Sequence, residues 1–206
     1  MSKKKTSSFH AVQRISEPSG ERKFEIRQAT PKDAIYYIEH LMRHFKESGE
    51  SEPIFHPIID FATWSEGSFY ERFASRWQKP MSELGWERVW ILYDAHDGAQ
   101  NVVGHLDLRS AQLPSAAHRC ELGIGIERIA RGQGYGRKLM QTAITWAKEQ
   151  GSLAWIDLAV FSQNKAAFEL YRKLGFEEVG TFKDYFRVGE KSVDDVQMTL
   201  DLRSSS

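Results

Sequence analysis

A chain of 206 residues, 41% hydrophobic and 27% charged, is long enough to bury one core and short for two, and no apolar run approaches the roughly 20 residues that span a bilayer. Lys plus Arg and Asp plus Glu stand at 28 each, so a net charge of zero sets up no global field toward nucleic acid or an anionic membrane. The single cysteine, Cys120, closes no intrachain disulfide and builds no thiolate cluster, and the basic start Met1-Ser2-Lys3-Lys4-Lys5 lacks a following apolar stretch; the expected location is the cytoplasm.

Residues 1–22 and 204–206 are polar and read as a flexible extension and a short tail around a single domain at 23–203. Alternation over Phe24 to Gln28 predicts a first strand, and Thr30-Pro31-Lys32-Asp33 has the form of a helix start, with Thr30 at N-cap and Pro31 at N1. Ile35, Ile38, Leu41, Met42 and Phe45 then recur at helical spacing, with Gly49 as the stop. Pro53, Pro57 and Pro80 interrupt the next stretch, in which Ser68 to Gln78 reads as helical. Strands are expected at Arg88 to Tyr93 and Val102 to Arg109, joined by the turn-prone run from His96 to Asn101, and again at Cys120 to Ile126. A glycine-rich turn leads into a helix from Gly136 to Gly151 with Leu139, Met140, Ala143, Ile144 and Ala147 inward. A strand at Ala154 to Phe161, a helix at Gln163 to Leu174 closed by Gly175, and strands at Glu177 to Phe182 and Val193 to Leu202 complete the chain. This order predicts an α/β fold of mixed α+β character, with a mixed central sheet of about seven strands and helices on both faces.

The informative stretch runs from Leu122 to Leu139, strand to glycine turn to helix. Glycines there let the backbone bend close to a ligand, and free amides at a helix N-terminus suit a phosphate. Gly136 is followed by Arg137, Lys138 and Leu139 rather than Lys and Ser or Thr, so a Walker loop is excluded. Gly132, Gly134 and Gly136 alternate strictly and lie past mid-chain, which does not fit a dinucleotide fingerprint. Arg131-Gly132-Gln133-Gly134-Tyr135-Gly136 instead resembles the pyrophosphate motif of the GCN5-related N-acetyltransferase (GNAT) family, Arg/Gln-x-x-Gly-x-Gly/Ala, at every fixed position. A second stretch, Ile156 to Phe176, resembles that family's strand, Asn-x-x-Ala helix, Tyr and Leu-Gly-Phe signature through Asn164, Ala167, Tyr171, Leu174, Gly175 and Phe176. Asn164 and Tyr171 are close to two helical turns apart and share a face with Ala167.

The resemblance extends from Phe24 to Leu202 and implies the family's acyl-CoA N-acyltransferase fold and direct acetyl transfer to an amine. It implies acetyl-CoA as cosubstrate, held between splayed strands ending at Ile126 and Phe161, with Ile124 and Ile126 supplying backbone hydrogen bonds. Gln133, Gly134, Gly136 and Arg137 would meet the pyrophosphate through amides, Arg131 would add positive charge, and Asn164 would lie near the pantetheine. Among relatives Tyr171 matches the tyrosine that protonates the departing thiolate, with ring packing as its other reading, and homodimers are common. Glu121 is the expected base for the amine, or else a solvated strand carboxylate; His118, His105 and Glu127 are weaker alternatives. No metal is expected: His40 and His44 form an i, i+4 pair without the acid of His-Glu-x-x-His and read as a solvated helix face. His56, Phe61, Trp64, Phe69, Tyr70 and Trp77, with the hairpin from Tyr185 to Met198, are the parts expected to shape the amine pocket or simply to pack. The rival reading is a non-catalytic acyl-CoA sensor, which would keep the phosphate turn and lose the proton-handling groups.

Overall fold

A computed structural model describes residues 22–47, 66–97, 100–188 and 190–203. The expected N-terminal extension (apart from Arg22), the tail, Gly49, His56, Phe61, Trp64 and the Phe69 side chain lie outside those described residues.

Strand β1 (Phe24–Gln28) runs into a 3-10 turn, Pro31–Asp33, and then helix α1 (Ala34–Glu47). The helix therefore starts one turn later than the Pro31 signal suggests. Asp33 explains the entry: its carboxylate accepts the Thr30 N–H at 2.7 Å and the Thr30 hydroxyl at 2.8 Å, and Arg27 forks onto it at 2.6 and 2.9 Å. Burial raises the Asp33 pKa, but the Arg27 fork and the Thr30 donors outweigh it and hold the carboxyl below its ordinary value. The stabilisation is thus fully present above the unfolded-state pKa of about 3.9 and disappears as pH falls through the lower folded value. Asp33→Asn should cost about 1 kcal/mol in urea melts at pH 7, and the difference from the parent should shrink in acid.

Helix α2 (Glu66–Gln78) precedes β2 (Glu87–Asp94), β3 (Val102–Ser110) and β4 (Arg119–Ile126); α3 (Tyr135–Glu149), β5 (Trp155–Phe161), α4 (Lys165–Lys173), β6 (Glu177–Val188) and β7 (Lys191–Asp201) follow. The strands form one seven-stranded sheet in the order β1-β2-β3-β4-β5-β7-β6, antiparallel throughout except for the pair β4 and β5. β6 continues well past the expected Phe182. Asp184 adopts a left-handed φ of 51° inside it, and the register with β7 shifts between Phe182 and Phe186, so Lys183-Asp184 makes a bulge within the longer strand.

Strand alternation divides the core in two. One face carries Trp90, Leu92, Leu106, Leu108, Leu122, Ile156, Leu158 and Met198 against Leu139, Met140, Ala143 and Ala147 of α3 and Tyr171 of α4. The other carries Val89, Ile91 and Val102 against Ala34, Tyr37 and Leu41 of α1 and Trp77 of α2. Ile35 falls off the α1 stripe and is 36% exposed. No described helix is long and apolar enough to cross a membrane.

Candidate active site

The parallel pair is short. Only Arg119, Cys120 and Glu121 of β4 pair with Trp155, Ile156 and Asp157 of β5, after which the strands part. Arg119 locks the last rung, donating to Asp157 at 2.5 and 2.7 Å and to the Thr199 hydroxyl at 3.0 Å. Beyond it, β4 keeps its ladder with β3 through Gly104↔Ile126, and β5 keeps its ladder with β7 through Phe161↔Asp195. One edge of each strand therefore faces the gap. The Glu127 N–H donates to the Val103 carbonyl at 2.8 Å, which sets the phase. Odd-numbered residues of β4 bond β3, and the backbone groups of Leu122, Ile124 and Ile126 point into the gap. The Ile126 carbonyl accepts Arg131 Nε at 2.6 Å from that side.

At the end of β4 a 3-10 turn, Arg128–Ala130, leads to Gly132 (φ 75°) and Gly134 (φ 82°), the latter the N-cap of α3. A side chain would find open space at either glycine, so the left-handed backbone and not crowding requires them. Lys138 N–H reaches the Gly134 carbonyl at 3.2 Å, which leaves the amides of Tyr135, Gly136 and Arg137 without intrahelical acceptors. Gly136 packs beside α4, where a β-carbon would lie 3.2 Å from Leu170 Cδ2. Arg137 and Lys138 are exposed, and the Gln133 side chain turns back to the Ile129 carbonyl at 3.0 Å. Arg131 is engaged by Glu47 at 2.5 Å as well as by Ile126, so its guanidinium braces the turn against α1.

Asn164 is the N-cap of α4 and accepts the Ala167 N–H at 3.2 Å. Tyr171, two turns on, is buried beside Phe176 with ring centroids 6.0 Å apart, and burial pushes its phenol pKa well up. Among the described residues its hydroxyl finds no hydrogen-bond partner. Glu121 alternates to the opposite face, exposed, with Arg109 3.9 Å away. Tyr171 and Glu121 thus lie on opposite faces of the sheet. His118 is exposed at the turn before β4.

The largest departure from the sequence expectations is beneath α1. His40 and His44 are not a solvated face; both are buried, with His105 and Glu127. His40 Nδ1 lies 2.7 Å from Glu127 Oε1, and His40 Nε2 lies 2.9 Å from His105 Nδ1. His44 stacks on His40 at 5.6 Å. Burial pushes His40 and His105 down to about 3 and His44 to about 2, so all three rings are neutral near pH 7. The signal was Gly123 and Gly125: a β-carbon at Gly123 would sit 2.6 Å from Asp107 Oδ1, and one at Gly125 2.6 Å from His44 Nε2 and 2.7 Å from His105 Cε1. These glycines are a floor on which the polar cluster rests.

A sequence profile of the acetyltransferase (GNAT) family matches residues 57–176, more than half of the chain. Curated relatives include the L-amino acid N-acetyltransferase AaaT of Escherichia coli (strain K12), 35% identical over 91 residues, 44% of this chain and 56% of the relative. The N-alpha-acetyltransferase RimI of Mycobacterium tuberculosis is 35% identical over 65 residues, 32% of this chain and 39% of the relative. The chain spans about half the length of these relatives or less. Among solved structures, an acetyltransferase of the GNAT family from Streptococcus pneumoniae superposes with a TM-score of 0.73 at 24% identity, over 86% of this chain and 98% of that one. The yncA structure from Salmonella typhimurium, with its cofactor acetyl-CoA, gives 0.67 at 18% identity over 89% and 96%.

Proposed function

The chain belongs to the acetyltransferase (GNAT) family, and from that premise we propose that it transfers an acetyl group from acetyl-CoA directly to a primary amine of a small molecule, an amino acid or a protein N-terminus. The observation that carries this reading is the gap between β4 and β5 opening beside the glycine turn. The backbone groups of Ile124 and Ile126 suit the amides of a pantetheine arm. The amides of Gly134, Gly136 and Arg137, with the positive end of the α3 dipole, suit a pyrophosphate. Gln133 and the exposed Arg137 border that turn, Arg131 fixes its position, and Asn164 holds the start of α4 beside it.

An ammonium must shed two protons on its way to an amide, one before nitrogen can attack and one as the C–N bond forms. Glu121, the exposed carboxylate at the last rung before the gap, takes the first. Tyr171, on the other face, stays protonated through the neutral range and gives its proton to the departing sulfur. No covalent enzyme intermediate is needed, since Cys120 is buried with its thiol pushed up to about 12 by burial and by the Asp157 and Glu121 carboxylates.

The test is CoA release from acetyl-CoA across a panel of amino acids, N-terminal peptides and polyamines, alongside calorimetric binding. Amine-dependent release supports the reading; tight binding without release for every class would move the chain to the acyl-CoA sensors. Gly134→Ala should weaken acetyl-CoA binding about tenfold in the same calorimetry, because an L-residue at this φ costs about 1–2 kcal/mol and turning the backbone to escape it swings the amides away.

A further inference from the structure

The proposed reaction leaves the second proton of the amine without an acceptor, and the buried polar cluster bears on it. Burial raises the Glu127 pKa, and Arg43 opposes it: Arg43 Nε lies 3.1 Å from Glu127 Oε1 and favours the ionised carboxylate. An ionised Glu127 only accepts, so His40 must donate from Nδ1. A neutral His40 then has a lone pair on Nε2, and His105 must donate to it from Nδ1. The remaining nitrogen, His105 Nε2, is an unprotonated acceptor aimed at a second acceptor, Asp107 Oδ1. Their separation of 3.6 Å is too long for a hydrogen bond and suits two acceptors that one added proton would join. Asp107 lies over Gly123, in the stretch of β4 that borders the gap, with no side chain between.

We propose that the Asp107–His105 pair takes the second proton of the amine, and that His40 and Glu127 behind it are positioning residues that hold His105 in the tautomer able to receive it. This rests on the transferase reading above. As the amine lone pair bonds to the thioester carbon and the C–S bond breaks, the N–H bond electrons stay on nitrogen and its proton passes to the pair. Sulfur takes the electrons of the C–S bond and the Tyr171 proton. The proton at His105 Nε2 is shared along the chain by passing the two Nδ1 protons on, His105 to His40 and His40 to Glu127, so no buried imidazolium forms. When product leaves, that proton returns by the same contacts to water, and the Tyr171 phenolate left by the transfer to sulfur takes a proton back from water.

The charged neighbours of the rings are themselves paired. Arg43 faces Glu127, Arg131 faces Glu47, Arg109 bridges Asp107 and Glu121, and Arg76 faces Glu87. Tyr37 meets His105 through its ring edge, and its phenol is kept protonated by burial. The depressed histidine values agree with neutral rings throughout.

Nitrogen-15 NMR of the intact protein without substrate should show His40 and His105 as neutral Nδ1–H tautomers around pH 7, the less common form of a free imidazole. An Nε2–H tautomer or an imidazolium in either ring overturns the proposal, whether or not any amine turns over. In kinetics, Glu127→Gln should lower kcat roughly a hundredfold and change its pH profile at unaltered acetyl-CoA affinity, with partial recovery in Glu127→Asp. Amine-dependent turnover in the parent together with an unchanged kcat and profile in Glu127→Gln would sink the relay and leave the transferase reading standing. Failure of the parent with every amine class sinks that reading, while the tautomer spectrum still decides the chain.

Discussion

Tyr171→Phe is expected to reduce kcat for amine-dependent CoA release by about a hundredfold or more while acetyl-CoA binding stays within a factor of two. The substitution removes one oxygen and keeps the ring that packs beside Phe176. Among the described residues that oxygen makes no hydrogen bond, so its loss strands no buried partner and the stability change should stay within about 0.5 kcal/mol. Because burial raises the phenol pKa, no alkaline limb from Tyr171 ionisation should appear in the parent's profile below its ordinary value of about 10. Wild-type kcat in the variant would assign the departing sulfur's proton to another donor, and equal losses in binding and rate would assign Tyr171 to packing alone.

Gly125→Val should be the most destabilising single change on the α1 face, by about 3 kcal/mol in urea unfolding, with catalysis lost in whatever fraction folds. A β-carbon there would lie 2.6 Å from His44 Nε2 and 2.7 Å from His105 Cε1, and neither ring is the loose end of a flexible chain. Both are buried between sheet and helix, so α1 must lift or the imidazoles must leave their partners, and each leaves polar groups without hydrogen bonds in a dry interior. Gly180→Ala is the control. Its β-carbon would meet nothing within 4 Å, and its cost should stay within about 0.5 kcal/mol. A Gly125→Val midpoint equal to the control's would show that the cluster yields to an isopropyl-sized intruder, and with it that the floor is soft.

The sheet and its helices were legible because their patterns are local. Alternation at Phe24 to Gln28 returns as β1 with the same ends, and the Ala154 to Phe161 reading differs from β5 by one residue. The glycine turn was legible for the same reason, since a left-handed N-cap is written into consecutive residues. What the sequence concealed depends on contacts far apart in the chain. His40 looked solvated because its i, i+4 partner is its only near neighbour of note, yet it is held by His105, 65 residues away, and Glu127, 87 residues away. Gly123 and Gly125 fall inside the strand expected at Cys120 to Ile126, and what requires glycine there is seen only from the residues stacked on them. Arg131 looked like a free cation beside the turn, and it is spent on Glu47 and the Ile126 carbonyl. The strand expected to end at Phe182 runs on as β6, because the Asp194 carboxylate, accepting from the Lys183 ammonium and the Asp184 N–H at 2.9 and 2.8 Å, folds Lys183-Asp184 into a bulge.

Cys120 occupies the middle rung of the short parallel pair, one residue before the gap opens. On the proposed reading an activated acyl group would come to rest close to the only sulfur in the chain that is able to steal it. A thiol pushed up to about 12 by burial stays protonated at pH 7, and its Sγ is turned toward the Trp155 carbonyl, 3.7 Å away. The three-residue ladder is therefore also a shield against self-acylation, keeping the protein's own nucleophile silent beside the reagent it handles.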